Sequence, residues 1–447
     1  MAMVGVFIGV AETISVAPIS AAIVQNADLS NRHIQTAISL SLVLAAVLSG
    51  GLWLFAGNIA DFYNTPELAH MMQWLCLGIF LSIASAVPRG LLMKKMAYHR
   101  IMQIDVSSFV IGMVFVCVTL AFQGYGAWSL VWGTLVWHSL RGMLMISSAG
   151  TLFRFSFHTK EAKELGHFGL GVSLNGMIHS IRNLSIEAII GRELGASALG
   201  NYGRAMRLAN QPIQRMTGSI SEVMFTAYSG MQDDFDKLSK LYLRNLRLVA
   251  VTAIPALAML FVSGKYFVLG LYGEHWSEAV SIFQWLCIAA ALDSILHKAG
   301  AVIQATGKIY KELHIQLVAA VIFVGGVVLV IDEGLSAVVI MMVNVSLLLY
   351  ILKNQLVIQT IGTSWKQILG AQAPALLIAS PVLLSNYLVI SFIESHLHLS
   401  YELGLLAVLV TSLLIYGAMI FFLPDHWLGG LKELLTSRLR RRDRVTQ

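Results

Sequence analysis

Long apolar stretches, broken at short intervals by charged or glycine-containing segments, make up almost the whole of this chain. Thirteen can be read along it, at about 3–24, 36–62, 68–93, 101–123, 127–147, 167–190, 202–228, 247–271, 279–305, 312–331, 335–357, 368–393 and 401–423. Their apolar residues are continuous rather than alternating, which excludes the period-two pattern of a membrane β-barrel. A hydrocarbon core about 30 Å thick takes about 20 residues to cross at a rise of about 1.5 Å each. Backbone polar groups in that core must be satisfied within the segment itself, which a helix does. The pattern therefore predicts an all-α polytopic membrane protein of about thirteen transmembrane helices.

Composition agrees. Of 447 residues, 57% are hydrophobic and 12% charged, about half the charge of a soluble domain. The net charge of +6 is a matter of topology, not of nucleic-acid binding. Counting loops alternately, 23 Lys and Arg fall on one side and 3 on the other, with Arg182, Arg207, Arg215 and Lys298 inside spans. That asymmetry predicts a cytoplasmic C-terminal tail. Cys76, Cys117 and Cys287 all lie within predicted helices, without CxxC spacing or a histidine at ligand spacing, so they read as core thiols and no metal is expected. Ser263-Gly264-Lys265 lacks the upstream glycine and following Ser or Thr of a phosphate-binding loop, and no nucleotide cofactor is expected.

The chain also repeats itself. Gln73-Trp74-Leu75-Cys76 recurs as Gln284-Trp285-Leu286-Cys287 at an offset of 211, six spans later, and the offset sets Arg100 opposite Lys311. Transporters are often built from such repeats. Aligned backwards, the second repeat has a span at 167–190 without a counterpart in the first. An additional apolar span is accordingly expected in the in-frame DNA upstream of Met1. The organisation this predicts is an N-terminal lobe over 1–148 with five helices, a cytoplasmic linker over 149–166, and a C-terminal lobe over 167–357 with six. A final helix pair over 368–423 and a basic cytoplasmic tail over 424–447 complete it.

Two spans carry polar stripes. In 202–228, Arg204, Arg207, Gln211, Gln214, Arg215, Gly218 and Glu222 share an arc of about 100° on a helical wheel, opposite Met206, Ala209, Ile213, Met216, Ile220 and Met224. In 167–190, Asn175, His179, Arg182 and Asn183 form a similar arc beside Glu187. A charge at the centre of a membrane helix costs about 2.5–3.5 kcal/mol on insertion scales, so these groups must meet water, a partner or a substrate. Lining of a substrate cavity and internal salt bridging of Arg207 or Arg215 with Glu187 or Glu222 are both open. Arg89 and Lys298 occupy nearly equivalent repeat positions, where substrate contact and snorkelling to headgroups are alternatives. Glu12, Asp105, Glu187, Glu222 and Asp293 are the acids in or near spans; each could carry a proton in antiport or pair with an arginine. Pro18, Pro88, Pro212, Pro255, Pro374 and Pro381 interrupt helices, as bending gates or as static kinks.

The residues Gly169-Leu170-Gly171, Arg182-Asn183-Leu184, Ile190-Gly191-Arg192, Ala198-Leu199-Gly200, Tyr202 and Arg207-Leu208-Ala209 resemble the Wzx-type oligosaccharide flippases of the polysaccharide transporter family. The likeness continues through Gln232-Asp233-Asp234, Leu271-Tyr272-Gly273-Glu274-His275-Trp276, Ala22-Ile23-Val24-Gln25 and Val87-Pro88-Arg89. The resemblance implies a fold shared with MATE exporters and lipid II flippases: fourteen helices in two six-helix lobes and a final pair, here without the first. It also implies flipping of polyprenyl-diphosphate-linked oligosaccharide units across a bacterial inner membrane, with possible polymerase and export partners and no bond-making chemistry.

An arginine-rich cavity suits such an anion, since guanidinium grips a diphosphate with paired donors. Arg182, Arg207, Arg215, Arg89, Lys298, Asn183 and Gln211 are the expected substrate contacts. A MATE-like exporter of small cations would favour an acidic cavity instead. A membrane-embedded polymerase or ligase would carry a large outer loop, whereas the longest here, around 392–401, is about ten residues.

Overall fold

The computed structural model describes residues 15–62, 66–150, 155–397 and 399–432, without the side chains of residues 62, 212–217 and 219. Among them there is no strand. The helices are α1 (Ser15–Gln25), α2 (Asn31–Phe62), α3 (Glu67–Ala84), α4 (Ala86–Lys94), α5 (Tyr98–Phe109), α6 (Cys117–Phe122), α7 (Ala127–Ala149) and α8 (Thr159–Ile189). They continue with α9 (Gly195–Ser229), α10 (Phe235–Val262), α11 (Gly264–Tyr272), α12 (Ala279–Ala305), α13 (Ile309–Val330), α14 (Leu335–Ile361), α15 (Trp365–Phe392) and α16 (Tyr401–Phe422). Short π-helical turns join α5 to α6 at Val110–Val116 and extend α8 at Ile190–Leu194 and α15 at Ile393–Leu397. Each apolar stretch of the sequence falls on one helix or on a kinked pair, the first being described only from Ser15.

Nine helical segments among the described residues are long and apolar enough to cross a membrane, and the protein is a multi-pass membrane protein. The helices α7, α8 and α9 are not among the nine. They carry the histidine, arginine and amide residues that lower their apolarity, and α8 and α9 are the two with polar stripes.

Helix boundaries follow local chemistry. Ser364 caps α15 by accepting from the Gln367 amide at 3.3 Å, while the Gln367 side chain accepts from the Ser364 amide at 3.0 Å, a reciprocal capping box. Gly334 starts α14 at φ 94°, a conformation with positive φ that only glycine adopts without strain. Asp234 caps α10 by accepting from the Lys237 amide at 3.1 Å and pairs with its ammonium at 2.7 Å. The side-chain hydrogen bond to Lys237 holds its carboxyl below the usual range. Pro255 lies inside α10, and Pro374 and Pro381 inside α15.

The chain divides into two compact units, Met1–Met177 and Ile178–Gln447. The division falls inside α8, beyond the 149–166 linker expected from hydropathy. Helix α8 already starts at Thr159, and its first half is held within the first unit. Glu164 bonds His33 at 2.9 Å, which keeps its carboxyl below its ordinary value, and Gly169 faces Pro18.

In the first unit, α3 packs between α2 and α7 over a core of Ala56, Leu68, Met72, Leu75, Val131 and Leu135. Helix α1 rests on α4: Ser20 donates to the Ala86 carbonyl at 2.9 Å, and Gly90 lets the Ser20 backbone approach to where a Cβ would stand 3.0 Å away. In the second unit α12 is central, packing on α9, α10 and α14. The final pair closes on the same unit. Helix α15 packs on α10 and α16, Tyr416 donates to the Val251 carbonyl at 3.3 Å, and Asn386 donates to Ser412 at 2.9 Å. Lys265 meets Glu394 at 2.7 Å.

The repeat is visible in these packings. Helices α3 and α12 present equivalent faces: Met71, Met72, Leu75, Cys76 and Ile79 are buried, as are Ile282, Phe283, Leu286, Cys287 and Ala290, while Trp74 and Trp285 are both exposed. Cys117 is buried as well, and all three cysteines are free thiols.

Candidate functional site

The α9 stripe is exposed on one side of a helix whose other side is core. Arg204, Arg207, Gln211 and Gly218 are exposed, while Tyr202, Ala205, Ala209 and Phe225 are buried. Arg204 is the exception to an open stripe, because its guanidinium lies over the rings of Tyr272 and Trp276 at 5.1 and 5.2 Å, cation–π contacts that fasten the start of α9 to the turn after α11. Arg207 bends back so that its Nε donates to the Gly203 carbonyl at 3.3 Å, leaving its outer nitrogens along the exposed face. Glu222 is half-buried. The Arg215 and Gln214 side chains and Glu12 lie outside the described residues.

The second half of α8 brings a further set together. Asn183 donates to His179 Nδ1 at 3.4 Å, and both are exposed, as is Glu187. Arg182 points toward α13. Its guanidinium sits 6.0 Å from the Phe323 ring and enters the wall of a cavity of about 540 Å³ otherwise lined by apolar residues, among them Ile178, Ile181, Leu317 and Val321. Arg182 is the one charged residue among those lining this cavity.

Lys298, for which headgroup snorkelling was one alternative, is withdrawn from the surface altogether. It is fully buried and donates to Ser221 of α9, so it ties α12 to α9. Asp293, one turn earlier, accepts from Ser346 of α14 at 3.2 Å, while its backbone carbonyl holds His297 Nδ1 at 2.6 Å. In the first unit Arg89 and Asp105 find each other: Asp105 takes Arg89 on one oxygen at 3.1 Å and Arg141 on the other at 2.9 Å. Of the two roles open to Asp105, the geometry is that of an arginine partner. Hydropathy reading missed the buried Lys353–Glu312 pair, because the loop count took Lys353 as a loop charge although it lies inside α14.

Comparison with known proteins bears on the fold and the family. The sequence profile of the family described as "Polysaccharide biosynthesis protein" matches residues 1–281. The chain is 25% identical over 326 residues to the lipopolysaccharide biosynthesis protein WzxC of Escherichia coli, covering 72% of this chain and 66% of that protein. It is 26% identical over 254 residues to the succinoglycan biosynthesis transport protein ExoT of Rhizobium meliloti, covering 56% of this chain and 51% of that one. In both cases the chain spans less than two thirds of the relative's own length.

Among solved structures, an outward-facing multidrug resistance MATE family transporter superposes with a TM-score of 0.65 at 18% identity, covering 80% of this chain and 86% of the other. The lipid II flippase MurJ in an inward closed conformation gives 0.61 at 13%, covering 92% and 89%. The fold is that of the MATE and MurJ transporters. With the profile matched over more than half its length, the chain belongs to the polysaccharide biosynthesis protein family.

Proposed function

We propose that this protein flips polyprenyl-diphosphate-linked oligosaccharide units across the bacterial inner membrane by alternating access, and that it makes and breaks no bonds. The observation that carries the reading is the α9 stripe: Arg207 and Gln211 stay exposed on one side of a helix whose opposite side, with Tyr202, Ala205 and Ala209, is buried. Sugar and diphosphate cannot cross hydrocarbon unaided, so a carrier needs a wet, cationic surface of this kind at membrane depth. Arg182 and Arg207 grip the diphosphate or acidic sugars, with Arg215, Asn183 and Gln211 alongside. Glu187, Glu222 and Asp293 are the acids available for ion coupling. The basic tail lies in the cytoplasm, and a polysaccharide polymerase receives the flipped unit.

The test is polymer export in a strain lacking its own flippase, with membrane abundance followed by immunoblot. Arg182→Ala and Arg207→Ala should each abolish export at normal abundance, and Arg207→Lys should restore it in part, because Lys keeps the charge without the two-pronged geometry. Normal export by both alanine variants would make these arginines structural and remove the basis of the reading.

A further inference from the structure

The polar stripe of α9 ends on aromatic rings. Arg204 is exposed, yet its guanidinium lies over both Tyr272 and Trp276, 5.1 and 5.2 Å from the ring centroids. The two rings are 6.0 Å apart and tilted to each other at 51°. The Trp276 ring lies against Gly200 of α9, 4.0 Å from where a Cβ would stand. Groups that can bond hydroxyls surround them. Buried Asn201 donates to the Glu278 carboxylate at 3.0 Å, and Glu278 is itself exposed, as are Glu274 and His275. Arg207 and Gln211 follow Arg204 at spacings of three and four residues, each about one turn further along the same exposed face.

This combination selects a ligand. A pyranose ring carries hydroxyls at its edge and C–H groups on its face, and that weakly positive face matches the negative face of an aromatic ring. Water competes fully for the hydroxyls, so hydrogen bonds to a sugar bring little net gain at the wet end of a carrier. Stacking escapes that competition, because it removes apolar surface from water. A small cation would also suit bare rings. Here it would have to enter beside Arg204 and Arg207, whose charges repel it.

The guanidinium is a cover that lifts easily. A cation–π contact at an exposed site shifts an equilibrium by a factor of only about two to five, within reach of a stacked sugar. An exit must also let go. As the sugar leaves, Arg204 returns to the rings, and this competition keeps the subsite weak.

We infer that Tyr272 and Trp276 form a glycan subsite at the outward end of the α9 stripe, where a pyranose ring of the oligosaccharide displaces Arg204 and stacks on the rings; this rests on the flippase reading above. Arg192, Arg204 and Lys265 are the few basic residues of the side expected to face outward. The glycan therefore meets the rings as it leaves the arginines further along the helix.

Saturation-transfer NMR tests it on the full chain in nanodiscs. The probe is the oligosaccharide fraction that mild acid releases from the polyprenyl diphosphates of the host membrane. Irradiation of the protein's aromatic protons should reach the ring C–H protons of the sugar. Affinity, measured by titration and scaled to the folded fraction, should fall about tenfold or more in Trp276→Ala and return in part in Trp276→Phe. It should rise about two- to fivefold in Arg204→Ala, because the cation–π contact no longer competes. A purely structural clasp gives the opposite sign, since Arg204→Ala would then loosen the turn and bind no better than the parent. That result, or an unchanged affinity in Trp276→Ala, overturns the inference. Displacement of the probe by tetraethylammonium overturns it too, and marks a cation box instead. Native mass spectrometry of the whole protein with the intact lipid-linked fraction separates the two readings. Binding there, with Trp276→Ala without effect on the probe, overturns the subsite alone, whereas no binding overturns the flippase reading and the subsite with it.

Discussion

Lys353 and Glu312 meet at 2.6 Å with side chains only 8% and 3% exposed, joining α14 to α13 inside the second unit. The repeat offset of 211 sets these residues beside Arg141 and one turn from Asp105, the pair that joins α7 to α5 at 2.9 Å in the first unit. The difference lies in the third member. Arg89 of α4 shares Asp105, whereas its repeat equivalent on α12 is Gly300, where a Cβ would already stand 3.0 Å from Glu312 Oε1. One repeat balances its acid with two half-buried arginines, and the other buries a single lysine in the space a glycine leaves.

The buried pair should therefore be costly to break and cheap to replace. Lys353→Met leaves Glu312 an uncompensated buried carboxylate, a loss of about 3–5 kcal/mol. The double change Glu312→Leu with Lys353→Met should recover most of it, because both desolvation penalties disappear together. Thermal unfolding in detergent, read by tryptophan fluorescence, checks the order parent, double, single. A double variant no more stable than Lys353→Met would show that the pair is more than a balanced charge.

Gly112 and Gly133 let the backbone around Val110–Val116 and helix α7 approach closely. A Cβ on Gly112 would lie 2.6 Å from the Gly133 carbonyl and 2.7 Å from the Trp137 backbone nitrogen. Backbone cannot yield as a flexible side chain does, so Gly112→Ala should cost about 1–3 kcal/mol by overpacking. Reduced membrane yield and a lower unfolding temperature are the expected readouts, and parental behaviour would show that the π turn at Val110–Val116 absorbs the methyl.

The start of α10 should respond to acid. The Asp234 carboxyl is depressed by its bonds to Lys237, so its contribution to the folded state is fully present above the ordinary Asp value. It is lost as pH falls through the lowered folded value. Amide exchange at Lys237 should quicken in that acidic window in the parent and be fast at all pH in Asp234→Ala. Equal protection in both would mean that the cap contributes nothing.

Orientation has its own test. Cys76, Cys117 and Cys287 are buried, which leaves a low background for an impermeant thiol reagent. In intact spheroplasts Ser400→Cys should react and Ser437→Cys should not, because the basic tail is expected on the cytoplasmic side. The reverse pattern would invert the topology.

The helices and the repeat were legible without coordinates. Continuous apolar runs locate α2 through α16, although three of the runs each cover two helices, and Gln-Trp-Leu-Cys occurs twice on matching faces of α3 and α12. The α9 arc was legible too, since Arg207 and Gln211 are exposed where Ala205 and Ala209 are buried. Less legible were the individual fates of charges. Arg204 is taken by Tyr272 and Trp276, Lys298 by Ser221, and Lys353 by Glu312, each through a contact with a different element of the fold.

That division has a physical cause. Hydropathy and helical period are properties of consecutive residues, and a bilayer reads them directly, because every apolar run of sufficient length must form its own backbone hydrogen bonds there. The sequence by itself therefore determined an all-helical membrane protein, its repeat and the faces on which its polar residues lie. Whether a charge on such a face meets an acid, a ring, a serine or an apolar cavity depends on which helix comes alongside and at what rotation. For Arg182, one of several polar residues on α8, only the packing of α13 opposite it decided that its guanidinium looks into an apolar groove.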